Sequence, residues 1–147
     1  MRIDETSLEI IKRLKDGRKS FREIAQELSI SENTVRSRVN RLQEEGILEI
    51  AGLVDPSAMP GHALILVGVK LLTMELVKKG EELSRLRGVV SVSVVTGRFD
   101  IILLVLLNQE FGLLQFYTEE MSRVKDVGSV ETFVVYKSFN LKVSYIL

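Results

Sequence analysis

The sequence predicts an α+β chain in which a trihelical N-terminal unit precedes a β-α-β-β-α-β unit, and three observations carry that expectation. Helix start and stop signals recur three times before Gly46. After Pro56, Pro60 and Gly61 the pattern changes to apolar, β-rich segments alternating with two helical ones. One of those segments, Ile101–Leu107, is apolar at every position, as expected of a central strand buried on both faces.

Asp4 is placed to cap a first helix with Leu8, Ile11 and Leu14 as its apolar stripe and Gly17 at its end. Ser20 followed by Glu23 forms a capping box, and Ser31 is a second N-cap, so 20–46 reads as two short helices around a tight turn. Ile24, Ala25 and Leu28 share one face of the first, and Val35, Val39 and Leu42 one face of the second. Packing those stripes together turns Asn33, Arg36, Ser37, Asn40 and Arg41 outward, with Thr34 and Arg38 on the flank. Such groups hydrogen-bond bases and phosphates. Gly46 suits the left-handed position past a helix end.

The stretch 47–54 reads as a short strand leaving the third helix, and Pro56, Pro60 and Gly61 as a hinge. The expected organisation is therefore 1–50 helical, 51–62 strand and hinge, and 63–147 a second domain. In that domain strands are expected over 63–72, 89–96, 99–107 and 129–137, and helices over 74–87, capped by Thr73 and closed by Gly88, and 110–125, capped by Asn108. This order is the ferredoxin-like arrangement, a four-stranded antiparallel sheet with both helices on one face. The helices leave one face of Ile101–Leu107 uncovered, so the sheet of a second subunit is the simplest cover. The alternating tail, with Phe139, Leu141, Val143, Tyr145 and Leu147 on one side, reads as an added strand.

Composition narrows the function. Twenty Lys and Arg balance twenty Asp and Glu, ten of each on either side of residue 50, so net charge gives no support for binding nucleic acid. The support is local, in Arg36, Arg38 and Arg41 against Glu32 alone, and in Arg18, Lys19 and Arg22. There is no cysteine, which excludes disulfides and thiolate zinc sites and fits a soluble, cytoplasmic protein. The lone His62 has no partner of predictable spacing, the pairs Glu44–Glu45, Glu81–Glu82 and Glu119–Glu120 read as solvated surface, and no phosphate-binding glycine loop occurs. Neither an enzyme nor a bound cofactor is expected. Two alternatives remain open: an enzyme built on the second domain, and a helix pair that binds protein rather than DNA.

Asp4, FREIAQELSIS, TVRSRVNRLQEEGIL, Asp55-Pro56, TGRFD at 96–100, and Val127 with Thr132 occur in an order and spacing that resemble the Lrp/AsnC (feast/famine) family of transcription regulators across nearly the whole chain. Departures are a short polar N-terminus, Asp126 where that family often has glycine, and the uniformly apolar strand after TGRFD. The resemblance implies a winged-helix-like DNA-binding domain, a ferredoxin-like effector (RAM) domain, dimers assembling into tetramers or octamers, and an amino-acid effector. Expected DNA-binding residues are Ser31, Asn33, Thr34, Arg36, Ser37, Arg38, Arg41 and Arg22, with Arg38 also placed for a pairing inside its own domain. Expected effector residues are Gly97, Arg98, Phe99 and Asp100, with Glu131 and Thr132 beside them. Gly97-Arg98 equally suits a two-residue type II′ hairpin turn, and Asp100 could be satisfied by a partner such as Arg98, or by water, without a ligand.

Overall fold

The computed structural model describes residues 3–147, which divide into two compact units meeting between Ala51 and Gly52. The N-terminal unit consists of α1 (Glu5–Arg13), α2 (Phe21–Leu28) and α3 (Glu32–Glu44). Each starts on a side-chain cap that satisfies a helix-end N–H: Asp4 accepts from Ser7 N, Ser20 from Glu23 N within a complete capping box, and Ser31 from Thr34 N. Ile10, Ile24, Ala25, Val35 and Val39 form the core, with Leu14, Leu28 and Leu48 packed against it. The stripe of α1 differs from the expected one, because Leu8 is exposed and Ser7 and Ile10 point inward. Gly46 takes φ +68° as expected, whereas Gly17 is not left-handed and α1 ends at Leu14.

Most of the stretch 47–54 is not a strand. Only β1 (Leu53–Val54) pairs, with β6 (Val143–Ser144), and Leu48 is drawn into the helical core instead.

The second unit is built on one antiparallel sheet in the order β3 (Val89–Val94), β4 (Ile101–Leu107), β2 (Ala63–Leu71), β5 (Val127–Val134). Ile65, Val67, Val69, Leu71, Ile101, Leu103, Val105 and Leu107 point to one side and pack with Leu83, Phe111 and Phe116. The other face of β4 is closed at one end by the chain's own tail, where Leu64 and Leu106 are buried against Val143, with Leu141 and Leu147 beside them. Further along, Ile102 and Leu104 are half-buried, and Leu66 and Phe133 are exposed. The expected tail strand shrinks to Val143–Ser144, with Phe139 standing in solvent.

The helices are shorter and less regular than expected. In α4 (Leu76–Ser84) Thr73 is not the N-cap; its Oγ1 accepts from Glu75 N at 3.3 Å in the turn before the helix. Asn108 likewise organises a preceding turn, accepting from Glu110 N and Phe111 N, and α5 (Leu113–Gln115) starts at Gly112. After α5 the chain widens into a π turn over Phe116–Glu120 and tightens into a 3₁₀ turn over Met121–Arg123. Thr118 Oγ1 donates to Leu114 O and Ser122 Oγ to Thr118 O, bonds that compete with the regular helical ladder and distort it.

Candidate nucleic-acid interface and effector site

On α3 the burial of Val35, Val39 and Leu42 fixes which side chains remain outside. Asn33, Arg36, Ser37, Asn40 and Arg41 are exposed, Thr34 and Arg38 are half-buried on the flank, and Arg22 is exposed on α2. Asn33, Ser37 and Arg41, spaced by four, run along an open groove of about 560 Å³ whose opposite wall includes Asp4 and Ser7. The width of a major groove admits a helix presenting such a row.

Several of these side chains already have partners. Arg36 pairs with Glu32 at 2.8 Å and lies 5.4 Å from the centre of the Phe21 ring; Arg41 pairs with Glu45 at 2.9 Å. Exposed pairs of this kind contribute little and exchange readily for phosphate. Ser31 caps the helix and bonds the Thr34 hydroxyl at 2.8 Å. Arg38 is held differently. Its Nη1 donates to both oxygens of Asp4 and, at 3.0 Å, to Ser7 Oγ, so the flank position serves the domain's own structure. The Arg38 guanidinium, then the Ser7 N–H, keep the Asp4 carboxyl far below the usual carboxylate range.

In the second unit the segment 95–100 links β3 to β4. It is not a two-residue turn: Val95 N donates to Asp100 O at 3.0 Å, leaving four residues in the loop, with Gly97 at φ +114°. Phe99 folds back over the sheet onto Gly68, where a Cβ would lie 2.7 Å from the ring, and meets Phe133 edge-on at 6.2 Å between centres. Arg98 pairs with Glu131 at 3.0 Å and lies over Phe99 at 5.6 Å. Asp100 accepts from Lys70 Nζ at 2.9 Å and from Leu71 N at 2.8 Å, just past Val69–Ile101, where the β2–β4 ladder ends. Leu71 N–H first, and Lys70 second, lower the carboxyl's pKa.

The structure therefore groups Arg98, Phe99, Asp100 and Glu131 at one end of the sheet. It does not group Thr132 with them. Thr132 pairs with Val67, whose side chain enters the helix-side core, and its hydroxyl bonds Tyr117 OH at 2.5 Å. Lys70 is the member that sequence reasoning missed. Its signal was a charge at one end of an apolar strand, which reads as ordinary solvation.

Residues 3–49 match the family model described as a winged helix-turn-helix DNA-binding domain, and residues 63–143 match the one described as the Lrp/AsnC ligand binding domain. An uncharacterized HTH-type transcriptional regulator of Pyrococcus abyssi is 31% identical over 92% of this chain and 87% of its own. The HTH-type transcriptional regulator Ptr1 of Methanocaldococcus jannaschii is 30% identical over 93% and 94%. A transcriptional regulator of Neisseria meningitidis, solved as a complex with L-Met, superposes with a TM-score of 0.72 at 18% identity, covering 98% of this chain and 96% of that one.

Proposed function

Because the chain belongs to the Lrp/AsnC family of DNA-binding transcriptional regulators and carries that family's ligand-binding domain, we propose that it binds specific DNA through α3 as a homo-oligomer whose assembly or DNA affinity responds to an amino acid. The observation that carries the DNA half is the face of α3, where the apolar row is spent on the core and Asn33, Arg36, Ser37 and Arg41 are left for bases and phosphates.

Two copies are favoured by the half-open face of the sheet. Leu66, Ile102 and Phe133 lie outside the tail cluster and, with Leu104 at its margin, form an apolar strip that the same strip on a second copy would cover around a two-fold axis. Two α3 helices related in that way would read half-sites one or more DNA turns apart, ~34 Å each.

The effector reading draws on the charged groups near Phe99. Arg98 offers a guanidinium for a carboxylate and Glu131 a carboxylate for an ammonium, and their exposed mutual pair exchanges at little cost. The L-Met held by the Neisseria relative supports an amino acid as the ligand class. The test is calorimetric titration with the twenty amino acids on wild type and on Asp100→Ala and Glu131→Ala, followed by light scattering with any ligand found. Saturable binding that the variants lose supports the reading. No binding to wild type, or equal binding to both variants, would exclude it.

A further inference from the structure

We infer that Arg38 acts in DNA recognition as a positioning residue and not as a DNA contact: with Asp4 and Ser7 it locks the rotation of α3 against α1 and so aims Asn33 and Ser37. This rests on the DNA-binding reading above.

Three features meet at one point. Asp4 is the N-cap of α1, its Oδ1 accepting from Ser7 N at 2.8 Å, and the same carboxylate takes the Arg38 guanidinium, with Nη1 at 2.7 Å from Oδ1. Ser7 is 8% exposed, so its hydroxyl adds a third bond from inside the packed interface. Along α3, Arg38 stands in the row Thr34, Arg38, Leu42, one wall of the groove, whereas Asn33, Ser37 and Arg41 form the neighbouring row.

Ile10 of α1 and Val35 and Val39 of α3 share one buried apolar cluster. Apolar contacts fix how closely two helices approach but are non-directional. Charge-assisted hydrogen bonds are directional, and here they supply the rotational reference. At the ~5–6 Å radius of a helix's side chains, a rotation of about 15° moves a side-chain tip by ~1.5 Å. That displacement is enough to break a hydrogen bond to a base edge, while a flexible phosphate contact survives it.

The alternative makes the opposite prediction for Asp4. Were Arg38 a phosphate ligand, Asp4 would be a competing anion, and Asp4→Asn would strengthen DNA binding. A duplex selected from a random-sequence library with wild-type protein, and a shuffled duplex of equal composition, serve as probes, each titrated at several salt concentrations.

We expect Asp4→Asn and Arg38→Gln each to weaken the selected duplex at least tenfold, to change the shuffled duplex less than threefold, and to combine no worse than either alone. The salt slope of Arg38→Gln should match wild type, whereas Arg41→Gln should lower it by about 0.9. Circular dichroism checks folding, and if Asp4→Asn is unfolded, Ser7→Ala, which removes only the hydroxyl, should still reduce the preference between the two duplexes by about threefold. Tighter binding by Asp4→Asn, a salt slope lowered by about 0.9 in Arg38→Gln, or an unchanged preference in Ser7→Ala would overturn the assignment to Arg38 alone. Failure of wild type to select any sequence would overturn the DNA reading itself.

Discussion

The Phe99 ring occupies the space that a side chain at Gly68 would need, three of its atoms lying 2.7 Å from where a Cβ would stand. Gly68 sits mid-strand, paired with Ile102 on one side and Glu131 on the other, where glycine is otherwise unfavourable. Gly68→Ala should therefore displace Phe99 and cost about 1–3 kcal/mol, as overpacking does. Urea denaturation measures the loss, and Phe99→Leu in the same background should recover part of it.

Asp100 provides a prediction in pH. Its folded pKa lies below the ordinary value, through Leu71 N–H and then Lys70, so its contribution is present above the unfolded carboxylate pKa of about 4 and is lost as pH falls through the folded value. Asp100→Asn should lower stability at pH 7 and flatten the decline as pH falls below about 4. Denaturation midpoints across that range decide it, and parallel wild-type and variant curves would contradict the assignment.

Much of this was legible in the sequence, because the signals were local. Asp4, Ser20 with Glu23, and Ser31 act as the caps their spacing implies, and the apolar faces of α2 and α3 follow the 3–4 periodicity. What escaped was non-local. Leu48 lies in a stretch that reads as a strand but is claimed by the helical core, and the tail strand shrinks to the two residues that find a partner in β1. Asp126 was visible as a departure from a frequent glycine, and the structure gives it φ +63°, a conformation Asp tolerates at a small cost. Its contact with the buried Lys79 at 3.6 Å could not be read from spacing, nor could the pairing of Asp100 with Lys70, thirty residues earlier.

The half-open sheet face yields a prediction for assembly. Leu104→Glu places a charge among Leu66, Ile102 and Phe133 and should shift the protein to monomer or to aggregate, whereas Val77→Glu, at a side chain 70% exposed on α4, should leave the assembly unchanged. Sedimentation velocity at micromolar concentration separates these outcomes, and a folded wild-type monomer would remove the need for a second copy.

Arg36 and Arg41 should fail in different ways. A base contact carries roughly 1–3 kcal/mol of discrimination, so Arg36→Ala should lose affinity and specificity together, and Arg41→Ala, losing a phosphate, should weaken all sequences alike. Competition between selected and shuffled duplexes reads both effects.

The most direct test of DNA recognition through α3 is an electrophoretic shift at 50 and 200 mM salt, comparing wild type with Arg36→Ala/Arg41→Ala on the selected duplex and a shuffled competitor. Wild type should bind selectively, with affinity falling steeply between the two salt concentrations, and the double variant should lose the selectivity while keeping its fold and assembly. Equal, sequence-selective binding by the folded double variant would contradict the account.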